Sequence, residues 1–177
     1  SFTRRPTMDP KSSIHDIILV LDEHKFPVNK QDLASQSSYF DALFFRDFKE
    51  SKQEKIVIKD ADPEDFGELL SMIYGVSTEP TTVENTIRYL EMADRFDLQI
   101  VKDRLENFLL VTDLISIHRK ILIAEDHRLE ILKSVVLHLY KNNEMNLRAL
   151  KKSPEFSKIS DSMKNLLFDN TTDILER

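Results

Sequence analysis

The sequence predicts an α+β fold: a small three-stranded sheet clustered with helices, followed by an all-helical extension. Two observations carry this. β-prone apolar runs occur only before residue 60, and from there on apolar residues recur at helical spacing between capping residues. An apolar share of 41% over 177 residues is enough for a real core, so the chain is globular.

The elements follow in order. Ser1 to Ser13 carries Pro6, Pro10 and scattered charges without an apolar period and reads as a linker or tail. Ile17-Ile18-Leu19-Val20-Leu21 is a β-prone run, Asp22-Glu23-His24 a turn, and Lys25-Phe26-Pro27-Val28 a returning strand that Pro27 assigns to a sheet edge. Asn29 can cap a helix. Between Lys30 and about Phe45, Leu33, Ala34, Tyr39, Phe40, Leu43 and Phe44 keep helical spacing across the break Ser35-Gln36-Ser37-Ser38, so two short helices are expected. Lys55-Ile56-Val57-Ile58-Lys59 is the third strand. Asp62-Pro63-Glu64 then combines an N-cap, a proline at the first helical position and an acid in the first turn, which starts a helix over about 63–74 closed by Gly75. Thr82 caps the next helix, which Asp97 breaks, and a further one holds Ile100 to Leu109.

Beyond residue 111 only helices are expected. Thr112-Asp113 opens one with Leu114, Ile117, Ile121 and Leu122, and Arg128 to Tyr140 forms its antiparallel partner across Glu125-Asp126-His127. Leu147 to Leu150 and Ser162 to Phe168 are two more short helices on either side of Pro154. The organisation read from this is a tail at 1–13, a mixed domain at 14–111 and a helical extension at 112–177. The chain begins with Ser1 instead of Met, from which a longer natural protein is expected.

Composition narrows the function. Residues 1–111 hold 21 acidic against 14 basic side chains and residues 112–177 hold 10 against 11, a balance without the clustered Lys and Arg that phosphate binding needs, so no nucleic acid is expected as partner. Cys is absent, which removes disulfides and thiolate metal sites and fits the cytoplasm or nucleus. No apolar run approaches the roughly 18 residues of a membrane span. The two glycines, Gly67 and Gly75, form no phosphate-cradling cluster. His15, His24, His118, His127 and His138 show no ligand spacing and read as surface or half-buried residues, and the acidic pairs Asp22-Glu23 and Glu125-Asp126 fall at expected turns. No catalysis, metal or cofactor is expected. In the aromatic stretch from Tyr39 to Phe48, the spacing of Tyr39, Phe40, Leu43 and Phe44 reads as core, which leaves Phe45 and Phe48 as the aromatics expected at the surface.

Along its length from His15 to Leu110 the sequence resembles the BTB/POZ family. The matching strings are His15-Asp16-Ile17-Ile18-Leu19, Lys25-Phe26-Pro27-Val28-Asn29-Lys30, Leu33 to Phe44, Phe48-Lys49-Glu50-Ser51, Asp62-Pro63-Glu64-Asp65-Phe66, Ile73-Tyr74-Gly75 and Ala93-Asp94-Arg95-Phe96. Each is weak alone; their order and spacing are specific. From Ile121-Leu122-Ile123-Ala124-Glu125-Asp126-His127 onward the chain looks like the three-box and truncated BACK helices of MATH-BTB ubiquitin-ligase adaptors. The resemblance implies the BTB/POZ fold with a helical three-box/BACK-like extension, and a non-enzymatic interaction module recruiting an unidentified protein target to a cullin-3 ligase. It places a partner site for the cullin-3 N-terminal domain at Phe45, Phe48, Lys49 and Glu50, where Phe48-Lys49-Glu50 matches a hydrophobic–any–Glu signature. It also places a charged pocket at Asp16 and Lys30.

Other readings stand beside these. Asp16 and Lys30 could be an ordinary surface ion pair, worth at most about 1 kcal/mol, and Phe48 could pack beneath its own loop. The function could be that of a cullin-independent scaffold or transcriptional regulator binding a partner protein or peptide. Tightly dimerising members carry an amphipathic helix before the first strand; Ser1 to Ser13 lacks that pattern, so at most a weak homodimer is expected. An Asp22-Glu23-His24 turn replaces the family's hairpin glycine, and Asn29 stands where a His is usual. No MATH, Kelch or zinc-finger segment is present to act as a substrate receptor.

Overall fold

In Ile17–Leu21 (β1) the odd-numbered side chains Ile17, Leu19 and Leu21 are buried while Ile18 and Val20 are half-buried, as a central strand requires. The computed structural model describes residues 15–46, 53–76, 80 and 82–168. His24–Val28 (β2) pairs antiparallel with β1, and Lys55–Val57 (β3) pairs parallel on its other side, giving the order β2-β1-β3. Ile18 donates its N–H to the Glu54 carbonyl and Val20 accepts from Ile58 N–H, so these residues turn their backbone groups to β3. By alternation Ile17, Leu19 and Leu21 bond β2, which leaves Lys25 and Pro27 facing the open edge. Pro27 therefore loses no ladder bond there and withholds a donor from any strand that would add to the sheet.

Helix α1 (Lys30–Gln36) starts where Asn29 Oδ1 accepts from Asp32 N–H at 2.9 Å. The expected break falls at Ser37, which is buried and extended (φ −150°, ψ 119°); its hydroxyl donates to the Phe96 carbonyl at 2.5 Å and accepts from Phe40 N–H at 3.1 Å. That cap opens α2 (Ser38–Asp41), which runs on as a π-helical turn over Ala42–Arg46. Helix α3 (Pro63–Ile73) has the expected Asp62 cap, 2.9 Å from Asp65 N–H, and ends in a Schellman motif: Val76 N–H bonds Ser71 O, Gly75 N–H bonds Met72 O, and Gly75 takes φ 74°. Helix α4 (Val83–Arg95) closes in the same way, with Asp97 left-handed at φ 49° and Leu98 N–H bonded to Ala93 O. Phe40, Phe44, Phe66 and Phe96 form the centre of the core, with ring centroids 5.4 to 6.4 Å apart.

Helix α5 (Gln99–Val111) contains the boundary between two compact units, residues 1–104 and 105–177. In the second unit, α6 (Ile117–Asp126) begins later than expected. Thr112 Oγ1 accepts from Leu114 N–H in a local turn, and Ser116 is the residue that caps, accepting from Arg119 N–H. The link to α7 (Glu130–Lys141) is His127–Leu129, with Arg128 left-handed at φ 55°. Leu129 gives α7 no side-chain cap; instead the buried Glu106 carboxylate accepts Leu132 N–H at 2.9 Å. Helix α8 (Glu144–Lys152), a 3₁₀ turn at Pro154–Lys158 and α9 (Asp161–Phe168) complete the described extension. His127 is buried, not at the surface. Among the described residues the last strand ends at Val57, and no helix is long and apolar enough to cross a membrane.

Candidate functional site

Helix α2 and its π-helical turn bring residues 39 to 46 together. Phe40 and Phe44, four apart, enter the core, whereas Tyr39, Leu43 and Arg46 follow i, i+4, i+7 on the adjoining row and with Ala42 line an open groove of about 440 Å³. Tyr39, expected in the core, lies at the surface with its ring edge-on to Phe40 and Phe96 at 5.1 and 5.2 Å. Spacing misplaced it because the two rows are neighbours on one short helix.

Phe45 is 50% exposed, its ring edge-on to Phe44 at 6.4 Å. A phenyl ring left half in water by a folded chain is the form an aromatic anchor takes before a partner covers it. Arg46 pairs with Asp41 at 2.8 Å, which orders a polar border beside the groove while contributing little to stability at such exposure. Phe48, Lys49 and Glu50 lie outside the described residues.

At the other expected site, the Asp16 carboxylate accepts from the Lys30 backbone N–H at 2.8 Å, so the first strand is tied to the first turn of α1 through the main chain. Asp16 is exposed and Lys30 half-buried. An acid there also suits the positive end of α1.

The buried polar side chains have structural partners. Asp65 takes a two-point bond from Arg88, at 2.8 Å from Nε and 3.3 Å from Nη2, which raises the already basic guanidinium, chiefly through that hydrogen bond. Thr86 Oγ1 donates to Thr82 O at 2.9 Å. In the extension the buried Tyr140 hydroxyl lies 2.5 Å from His118 Nδ1, and burial, followed by the Glu155 charge, raises its phenol well above the ordinary value. No cluster of metal-ligating side chains occurs among the described residues.

The family model for the BTB/POZ domain matches residues 7–113. The chain belongs to the BTB/POZ domain family. The chain is similar to BTB and MATH domain-containing protein 38 of Caenorhabditis elegans, 32% identical over 165 residues that cover 93% of the chain and 42% of that protein. It is also similar to BTB and MATH domain-containing protein 15 of the same organism, 38% identical over 123 residues covering 69% and 44%. Kelch-like BTB proteins match as well, including Kelch-like protein 6 of Homo sapiens, 34% identical over 58% of the chain and 16% of that protein. Among solved structures, the BTB domain of human gigaxonin aligns at 21% identity over 61% of the chain and 99% of its own, with a TM-score of 0.46. The chain thus spans under half the length of these two worm relatives. Its BTB/POZ domain is followed by a helical C-terminal region that extends the similarity to the first of them.

Proposed function

We propose that this BTB/POZ protein is a non-enzymatic adaptor whose BTB domain docks the N-terminal domain of cullin-3, linking a target protein to a ubiquitin ligase. The observation that carries this is Phe45, half-exposed beside the Tyr39–Leu43–Arg46 groove and directly ahead of the Phe48-Lys49-Glu50 signature. A projecting aromatic fills an apolar pocket on a partner helix, and a nearby carboxylate accepts a charge-assisted bond: together they make a small, central hot spot.

Helices α6 and α7 extend the contact in this reading. Ile131, Val135 and Leu139 stand at i, i+4, i+8 on α7 and are 59%, 40% and 47% exposed, an apolar stripe of the sort a partner covers. Asp16 and Lys30 act within the domain, holding β1 against α1. The relatives' names support the adaptor role by pairing BTB with MATH domains. Where a MATH domain accompanies a BTB domain it would supply target recognition, and the cytoplasm or nucleus is where the complex would work.

Titration of the chain with the purified cullin-3 N-terminal domain by calorimetry tests the proposal. Micromolar or tighter binding is expected. An absence of heat and of co-elution would transfer the surface to a cullin-independent scaffold or transcriptional regulator.

A further inference from the structure

A second concavity lies elsewhere in the BTB domain and shares no residue with the Phe45 surface. Strand β2, α3 and α4 enclose an open groove of about 850 Å³, within the range of sites that hold peptides and small ligands. Three aromatic side chains line it: Phe26 on β2, Tyr74 at the end of α3 and Tyr89 on α4. Phe26 is half-buried and packs edge-on against Phe66 at 5.3 Å.

Tyr89 is only 7% exposed, yet its hydroxyl makes no hydrogen bond among the described residues. The buried Tyr140, by contrast, meets His118. A buried donor without a protein partner costs stability unless solvent or a ligand accepts from it, and a ligand that brings a fitting acceptor can replace the water. Burial first, and then the charges of Glu68 and Asp65, hold this phenol above its ordinary value, so it keeps its proton and acts as a donor. The half-buried Tyr74 hydroxyl is in the same condition, raised by burial and then by Asp32, and without a hydrogen bond among the described residues.

The ligand must therefore bring acceptors. Glu64 and Asp65 outweigh Arg88, which Asp65 engages in a two-point bond, so a carboxylate or phosphate would meet net negative charge and a neutral carbonyl fits better. Pro27 blunts the strand edge beside the groove against an added strand. An α-helix spends its carbonyls on itself. A polyproline II segment leaves every carbonyl free, and its rings pack against aromatic grooves.

We infer that this groove docks a proline-rich segment of a partner protein in the polyproline II conformation, its carbonyls accepting from Tyr89 and Tyr74 and its rings resting against Phe26 and the two tyrosines. This is independent of the cullin reading, because neither Phe45 nor the 48–50 signature takes part.

The probe is fluorescein-labelled decaproline, titrated with the full chain by anisotropy; a glycine–serine peptide of equal length, which has the carbonyls without the preset conformation, is the control. Saturable binding of decaproline alone is expected, changing little as salt rises from about 0.05 to about 0.3 M because no ion pair is formed. Tyr89→Phe removes the hydroxyl and keeps the ring, so it should weaken binding by about fivefold while melting no lower than the parent and leaving the cullin-3 titration unchanged. Tyr74→Phe should weaken decaproline binding as well. A lower melting temperature for Tyr89→Phe would show that the hydroxyl has a partner inside the fold and would overturn the assignment. Decaproline binding that survives Tyr89→Phe unchanged would do the same, as would no binding to the parent. Residues 1–14 hold Pro6 and Pro10 and lead into His15 on the groove wall. Binding that appears only after both prolines are changed to Ala would overturn the partner segment in favour of the chain's own.

Discussion

Arg128 occupies a left-handed position, φ 55°, at the end of α6, where Leu129 N–H reaches Ala124 O and Arg128 N–H reaches Glu125 O. The same motif closes α3 with Gly75 and α4 with Asp97, residue types that tolerate this conformation better than arginine does. Relief of the Cβ clash should exceed the added flexibility of the unfolded chain, so Arg128→Gly should stabilise by roughly 0.5–1 kcal/mol, read as a higher urea midpoint. Tyr140 gives a second test. Its folded phenol titrates above the unfolded value of about 10, so the stability it contributes is complete below about pH 10 and declines as pH rises towards the raised native value. Tyr140→Phe loses the bond to His118, at a cost of about 1 kcal/mol near neutrality, and removes that alkaline decline. The parent's advantage over the variant, measured by urea unfolding, should therefore shrink between about pH 8 and about pH 11. Tyr74 and Tyr89, whose hydroxyls burial also raises, are common to both proteins and cancel.

Individual elements were legible in the sequence where one residue type served one purpose. Asn29, Asp62 and Thr82 cap the helices they were expected to cap, and Pro27 lies on an edge strand. Legibility failed where one chemistry has two outlets. Thr112 and Ser116 both accept from a nearby N–H, but only Ser116 starts a helix, because a hydroxyl closes a turn as readily as it caps. Tyr39 and Phe40 are adjacent in sequence yet face surface and core, a distinction that four residues of helix cannot encode by period alone. The buried Glu106 capping α7 was invisible because its partner Leu132 lies 26 residues away. Phe45 was expected at the surface and is there, which gives the proposed cullin site its test. Phe45→Ala should leave the melting temperature nearly unchanged, as the loss of a half-exposed ring opens little cavity. Phe48→Ala, if the ring projects, should do the same while costing at least about 2 kcal/mol of cullin binding; a ring packed in the core would instead cost roughly 3–5 kcal/mol of stability. Glu50→Lys should weaken binding and change its salt dependence.

For the whole molecule the question is what covers the Ile131–Val135–Leu139 stripe, since α7 buries Leu132, Val136 and Tyr140 on its other side and leaves these three in water. A second copy and the cullin are the two covers that matter, and they give different masses. Residues 1–13 lack the amphipathic pattern on which tight dimerisation was expected to depend, so the chain alone should scatter light as a monomer or a concentration-dependent weak dimer. Ile131→Glu with Leu139→Glu places charges at exposed positions, where substitutions ordinarily change stability by within about 0.5 kcal/mol, so fold and mass should both be kept. If α7 extends the cullin contact, that double variant should weaken binding. A parent that scatters as a dimer at nanomolar concentration, with a double variant that scatters as a monomer and binds cullin-3 as the parent does, would give the stripe to self-association. Cullin recognition would then rest on residues 45–50 alone.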